Sequence, residues 1–381
     1  MFEVLVDELS AMLSAPAILE DSDFILVAYS MHSDSTDHVR EVSIMRKRVD
    51  PDVRAHLESF GISEAGGPVK IPAKPELGML ARICIPATWR GTVHGYLWIV
   101  DTGIDIDGDP ALASDVRQVA EHAGSLLAQR NRVREEMEVL IRVLLTPTEE
   151  SRAGAADDLG DVTGLAVNTP VSCVSLTPTD PAKGLARFLV SDDIAYAHLP
   201  HDEVVLVVPR AAPGDRAVIE RIVRDYRRAA DGDPGASDAF FGIGAIVPSL
   251  TEFRQSWRDA NIAGRVCAFD RPAGGVAYWE DLGVLRLLSQ RNHEAFRRDV
   301  LGRGATCLLQ GSEELVATAF AFLENAGDVQ RTAQQLCIHR QTLYHRIHRI
   351  EALTSLSMSS GRDRTELHLA LLMDTYLGEN Q

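Results

Sequence analysis

Between Val329 and Ile350 the chain carries no acidic residue, although its formal net charge is -17. This stretch constrains the fold most, because its pattern admits one local structure. Asn325-Ala326-Gly327 ends a helical segment, with Gly327 suited to the left-handed position after a helix. Asp328 can cap the next helix, which is expected to run to about Leu336. Cys337-Ile338-His339 follows as a turn, with Ile338 pointing back into the core. Leu343, Ile347 and Ile350 then recur at helical spacing as a buried stripe. Subtracting that stripe leaves Arg340, Gln341, Tyr344, His345 and Arg349 on the outer face, with Arg346 near its edge. Two short helices around a tight turn, with a cationic face in an acidic protein, form a local footprint for phosphate. The alternative is an arginine-rich solvated helix end, which would not require the stripe, the turn and the charge to agree.

The segment from Gly327 resembles a Fis-type helix-turn-helix. The longer run TAFAFLENAGDVQRTAQQLCIHRQTLYHRIHRIEALTSLSM is similar to the C-terminal domain of PucR/CdaR-type transcriptional regulators. The most specific part is His339-Arg340-x-Thr342-Leu343-x-x-Arg346-Ile347-x-Arg349-Ile350. The family usually has Asn where Gln341 stands, and often Gly where Ser355 stands. The resemblance implies that the second helix reads the major groove of double-stranded DNA. His339 and Arg340 then lie where side chains reach base edges, and Arg340 can pair bidentately with guanine. Gln341 and Tyr344 are candidate base or phosphate contacts. Thr342 and His345 match positions that touch DNA in Fis-type motifs. Arg346 and Arg349 are expected to meet phosphate or to form salt bridges within the domain.

The acidity of the rest of the chain argues against a protein that coats nucleic acid generally and favours one focused surface. Lysine is confined to Lys47, Lys70, Lys74 and Lys183, so arginine carries the positive charge. The five cysteines are scattered without a C-x-x-C pair and read as buried thiols of a reducing cytoplasm, not a disulfide frame or zinc site. No apolar run is long enough to cross a bilayer, and the acidic N-terminus is no signal peptide.

Upstream, Met1 to about Asp109 alternates strand and helix patterns. Phe24 to Tyr29 reads as a strand and Pro51 to Phe60 as a helix. Arg82 to Pro86 and Gly95 to Asp101 read as strands joined by the turn-like TWRGTVH. The hairpin ending in GYLWIVD resembles the late strands of a GAF-type domain. That likeness implies a small-molecule site, for which Trp89, Tyr96 and Trp98 are the candidate lining; each is equally a packing residue. Asp109-Pro110 is a helix start. Leu112, Val116, Val119, Ala123, Leu126, Arg130, Val133, Met137, Leu140 and Leu144 step alternately by four and three, a heptad seam of about 50 Å that Thr146-Pro147 ends. A seam that outruns one domain suggests pairing with a second subunit. Pro147 to about Val162 reads as a connection with a partial helix. Strands at Val171–Leu176, Ile194–Leu199, Val204–Val208 and Phe240–Val247, with helices at Asp215–Ala230 and Ser249–Arg265, resemble the degenerate GGDEF-like domain of the same family. In the hairpin Pro200-His201-Asp202-Glu203-Val204 the acidic pair remains and both glycines of an active cyclase are gone. Glycine is what lets backbone approach a nucleotide closely, and Pro200 removes a donor as well. No G-x-x-x-x-G-K-[ST] is present.

The expected architecture is multidomain α+β: a GAF-like α/β sensor over 1-111, a long dimerisation helix over 112-146, a GGDEF-like α/β domain over 147-277 and an all-α helix-turn-helix domain over 278-381. The expected function is a cytoplasmic, homodimeric transcriptional regulator on a palindromic operator, with a possible small-molecule effector, no cofactor, no metal and no membrane partner. The alternatives are a nucleotide cyclase-like enzyme with a DNA-binding tail and a ligand-independent DNA-binding scaffold.

Overall fold

The computed structural model describes residues 1–30, 37–46, 49–177, 194–230, 239–272, 274–289 and 300–378. It is a mixed α+β chain whose residues gather into two compact units.

The first unit is built on a five-stranded sheet. α1 (Phe2–Leu13) leads into β1 (Ala17–Asp21) and β2 (Leu26–Tyr29); α2 (His38–Arg46) and α3 (Pro51–Glu58) follow, then β3 (Val69–Ile71), β4 (Arg82–Trp89) and β5 (Thr92–Val100). The strand order is β2-β1-β5-β4-β3. Side chains alternate across it. Ala17, Leu19, Ile83, Ile85, Leu97 and Ile99 face α1 and the long helix, whereas Ile18, Cys84, Tyr96 and Trp98 pack in a second cluster with Val39, Val53 and Leu57 of α2 and α3. Both faces of the sheet are therefore covered. Two local readings are revised. Phe24 is not in a strand; it sits at φ 62 in the turn between β1 and β2, and its ring is buried against Tyr96. The TWRGTVH connection shrinks to Arg90-Gly91, both at positive φ, because Trp89 and Thr92 already pair.

α4 (Pro110–Leu144) starts where Asp109 caps it, the carboxylate accepting from the N–H groups of Ala111 and Leu112. Its first half lies on the sheet through Val116, Val119, Ala120, Ala123 and Leu127. Gly124 makes that approach feasible, since a Cβ there would stand 2.4 Å from the Thr88 carbonyl oxygen. The N-terminal part of the heptad seam is thus spent inside its own unit. Further along, Leu126, Met137 and Leu140 are only half-buried, and Val133 and Val139 are 37% and 56% exposed. Near the end, Glu138 accepts from the His198 N–H (2.8 Å) while Arg142 donates to the His198 carbonyl (2.8 Å), tying α4 to the hairpin of β7 (Ala195–Leu199) and β8 (Glu203–Pro209). Pro147 to Val162 proves to be more than a connection. α5 (Glu149–Thr163) is a full helix that buries Ala155, Ala156 and Leu159, so tertiary packing completes what a weakly amphipathic, alanine-rich sequence only suggests. α6 (Ala217–Ala230) follows the hairpin.

The second unit contains most of β6 (Val171–Thr177), then β9 (Phe240–Ile243), most of α7 (Phe253–Asp270) and β10 (Val276–Tyr278), with β9 and β10 parallel. The strand expected to reach Val247 stops at Ile243. Beyond it, Gly244 N–H bonds to the Cys173 carbonyl and the Ala245 carbonyl accepts from Ser256 Oγ, so this backbone leaves the β9 ladder. The remainder of the unit is helical: α8 (Arg303–Leu309), α9 (Glu313–Glu324), α10 (Val329–Gln335), α11 (Arg340–Thr354) and α12 (Gly361–Gly378). They share one core, in which Leu315, Phe322, Leu343, Ile347, Ile350, Leu367 and Leu371 are buried. α12 also meets α7, where Tyr376 donates to Asp270 (2.6 Å) and stacks near Phe269.

All five cysteines are free. Cys84, Cys173 and Cys267 are buried as expected, but Cys307 and Cys337 are exposed, Cys337 because it forms the turn at φ 56. Among the described residues, no helix is long and apolar enough to cross a membrane, and no three His, Cys, Asp or Glu gather as a metal ion would require.

Candidate nucleic-acid interface

The two-helix stretch is set by its ends. α9 closes at Asn325, whose side-chain amide donates to the Ala321 carbonyl and to Gln335. Gly327 lies at φ 83 and its N–H returns to Phe322 O (2.8 Å). A side chain there would also strike the Arg364 guanidinium, which leans over the Phe322 ring and bonds the Met358 carbonyl. Asp328 caps α10 through the Arg331 N–H (2.9 Å), and the helix ends against Leu336. Ala333, small and 5% exposed, lets α10 and α11 approach, while half-buried Ile338 packs against the shared core.

His339 is the cap of α11. Its Nδ1 accepts the Gln341 N–H at 3.3 Å. A nitrogen that accepts is unprotonated, so the ring hydrogen sits on Nε2 and is available to an outside acceptor. Leu343, Ile347 and Ile350 are buried, as their spacing requires. Arg340, Gln341, Thr342, Tyr344, His345 and Arg349 are all exposed, Tyr344 by 51%. Residues four apart stack along a helix, so Arg340, Tyr344 and His348 form one row and Gln341, His345 and Arg349 the next. His348 was missed in the sequence, although its step of four from Tyr344 was the available signal. Gln330 and Gln334 of α10 were missed too; they line an open groove with Cys337, Ile338 and Arg340.

Arg346 stands apart from this surface. It is 18% exposed and reaches back to α9, bonding Thr318 Oγ1 at 3.2 Å and the Glu314 carboxylate. Of the two roles open to it, the intramolecular salt bridge is the one formed. α11 ends where Ser355 takes the left-handed conformation, φ 57, the position at which the resembled family often has glycine.

The aromatic candidates divide. Tyr96 and Trp98 are buried with ring centroids 5.9 Å apart, and Phe24 joins them. Trp89 is not with them. It lies half-buried at the end of the β4–β5 hairpin, with the Arg90 guanidinium 5.7 Å from its ring centre. In the β7–β8 hairpin, Pro200–Asp202 forms one tight turn with His201 at φ 65, a conformation that glycine adopts without strain.

With that geometry in place, residues 315–373 match the PucR C-terminal helix-turn-helix domain and residues 148–266 match a GGDEF-like domain. The chain is 21% identical to the proline-responsive transcriptional activator PutR of Bacillus subtilis (strain 168), covering 97% of this chain and 95% of PutR. It is 19% identical to the DNA-binding transcriptional activator AdeR of the same organism, over 96% and 91% of the two chains. It is 35% identical to the transcriptional activator PmfR of Paenarthrobacter nicotinovorans over 30% of this chain and 25% of PmfR. The chain is therefore a DNA-binding transcriptional regulator of the helix-turn-helix class. Within that class it is a PucR-type regulator, with a GGDEF-like domain ahead of the helix-turn-helix.

Proposed function

We propose that α11 enters the major groove and that Arg340, Gln341, Thr342, Tyr344, His345 and Arg349, with His339 at the helix start, make the contacts to bases and phosphates. The observation that carries this reading is the outer face of α11, acid-free from Arg340 to Arg349, laid over the buried Leu343, Ile347 and Ile350 stripe. Arg340→Ala is expected to lose about 1–3 kcal/mol of specific binding and to relax preference at one base position. Arg349→Ala, as a phosphate contact, should weaken all sequences alike and lower the salt slope by about one. Gel shifts on a selected operator and on random DNA measure both. Parental discrimination in Arg340→Ala would remove it from the reading surface.

The remaining assignments complete the proposal. Residues 1-111 act as a GAF-like sensor in the cytoplasm, 112-146 as the signalling helix, 147-277 as the GGDEF-like domain and 278-381 as the DNA-binding domain. PutR is proline-responsive, and a small-molecule signal is proposed for this chain as well. The GGDEF-like domain serves as a scaffold: its β7–β8 turn offers Pro200 and His201 where a nucleotide would require close backbone approach. Incubation with GTP and magnesium should yield no cyclic dinucleotide.

The half-exposed stripe of α4, centred on Val133, Met137 and Leu140, pairs with the same stripe of a second copy. Symmetric pairing would hold two reading helices about 34 Å apart or a multiple of it, as a palindromic operator demands. Val133→Asp with Leu140→Asp places carboxylates in that seam, at a cost in desolvation. Analytical ultracentrifugation should then show monomers, and gel shifts should show loss of cooperative half-site binding. A double variant that remains dimeric with parental affinity would put the dimer contact elsewhere.

A further inference from the structure

Two exposed helix faces of the first unit carry opposite charge and stand bare. α6 buries Ile219, Ile222, Val223 and Tyr226, one stripe at helical spacing. Arg221, Arg224 and Arg228 are exposed. At 3.6 residues per turn they fall within about 60° of one another, on the side opposite that stripe. No carboxylate lies among them. Glu220 falls on one flank, and Asp225 is half-buried on the other. Among the described residues, none of the three arginines forms an ion pair or a hydrogen bond.

α5 is the converse. It buries Ala155, Ala156 and Leu159. Glu150, Asp157 and Asp161 are exposed on the opposite side, within about 40° of one another. Its one basic residue, Arg152, is turned away from them and donates to the Thr146, Pro147 and Thr251 carbonyls. Among the described residues, the three carboxylates also lack an ionic partner.

An isolated exposed ion pair contributes little. Ridges differ, because like charges three and four apart on a helix repel, and an opposite ridge relieves that repulsion on both sides at once. The guanidinium fork matches a carboxylate bidentately. The arginine ridge is about 10 Å long and the carboxylate ridge about 16 Å, so the first fits within the second. DNA phosphate is the other polyanion an arginine ridge could meet. Residues 147–277 hold more acidic than basic side chains, however, and a duplex along α6 would lie against a domain of its own sign.

We propose that the Arg221, Arg224 and Arg228 ridge of α6 docks on the Glu150, Asp157 and Asp161 ridge of α5 in a second copy of this chain. The contact goes beyond the apolar pairing of α4 and stands whether or not α4 pairs. It is ionic and heterologous, so it can join one α4 dimer to the next. The GGDEF-like domain thereby becomes an assembly module, and occupancy of neighbouring operators becomes cooperative.

The test is sedimentation velocity of the full chain over a concentration series. Raising NaCl from about 25 mM to about 300 mM should weaken the association roughly tenfold, because screening acts on exposed charges. An apolar α4 contact should survive that salt. Reversing α6 (Arg221→Glu, Arg224→Glu, Arg228→Glu) should abolish the salt-sensitive association. Reversing α5 (Glu150→Arg, Asp157→Arg, Asp161→Arg) should abolish it as well. The two sets move the net charge in opposite directions, so loss in both excludes an effect of overall charge. The chain with all six substitutions regains the parent's net charge and should regain the association. All six positions are exposed, and circular dichroism melts check that each variant folds. The proposal is overturned if the parent's assembly ignores salt, if the α5-reversed chain associates as the parent does, or if the folded six-substitution chain fails to recover. It is also overturned if reversing α6 lowers operator affinity and leaves assembly unchanged, which would assign the ridge to DNA phosphate.

Discussion

In the C-terminal helices, Thr318, Asn325, Thr332 and Thr354 are buried, and each donates to the carbonyl four residues earlier. In the N-terminal sheet, Glu20, Arg40, Arg82 and Trp98 are equally buried, but here charged groups lie inside: Trp98 hydrogen-bonds to Glu20, Asp37 accepts from Arg82, and Arg40 donates to the Ala17 and Ser30 carbonyls. Among the described residues from 300 onward no buried side-chain nitrogen or oxygen lacks a partner. The helical region satisfies its interior and turns its cations outward, which suits a large external polyanion. The sheet keeps its cations inside, engaged by Asp37 and by backbone carbonyls. The difference teaches where to look for the DNA partner: on the helical region, whose cations lie at the surface, and not on the sheet, whose cations are spent inside.

The largest effect that would test this contrast is in the helical core. Leu343 is fully buried, and Leu343→Ala should cost about 2–5 kcal/mol through lost transfer energy and the cavity left behind. Hydrogen exchange on the full chain should show lost protection across residues 303–378 and retained protection in β4 and β5. Loss of protection in both would mean that the two regions do not unfold separately.

The second test bears on the sheet interior and follows from linkage. The folded-state pKa of Glu20, about 8, lies above its ordinary value of 4.5. Between those values the folded chain holds a proton that the unfolded chain has released. The stability contributed by the neutral carboxyl is complete below pH 4.5 and declines as pH rises toward 8, by up to about 1.4 kcal/mol per unit. Glu20→Gln lacks that decline. Its denaturation midpoint should match the parent near pH 4.5 and exceed it at pH 8. Parallel curves would show that Glu20 ionises normally and that the sheet interior is not the low-dielectric site its burial indicates.

How much of this was legible beforehand depends on which rule each residue obeys. The ends of α4, α10 and α11 follow from Asp109-Pro110, Asp328 and the Leu343, Ile347, Ile350 spacing, because caps and periodicity act within a few residues. The outer face of α11 followed by subtraction. α5 was only partly legible, since its stability comes from Ala155, Ala156 and Leu159 meeting other elements. The sheet cluster was not legible at all. Period-two reading takes a charged residue in a strand as pointing to solvent, and Glu20 and Arg82 violate it because both faces of this sheet are covered. Violations of local rules of this kind concentrate at functional positions.

The smallest expected effect concerns the end of α11. Ser355 is held at φ 57, where its Cβ is disfavoured, and its N–H closes the helix on the Glu351 carbonyl at 2.8 Å. Glycine relieves that conformation but gives the unfolded chain more freedom, so the two terms partly cancel. Ser355→Gly should therefore stabilise the DNA-binding region by no more than about 0.5–1 kcal/mol. Denaturant titration followed by hydrogen exchange in α11 would measure it. Operator affinity should not change, because the reading rows end at Arg349, six residues before the cap. A gain in stability with unaltered affinity would place the Ser355 strain outside the interface. A loss of stability would mean that the Ser355 side chain is part of how the helix ends.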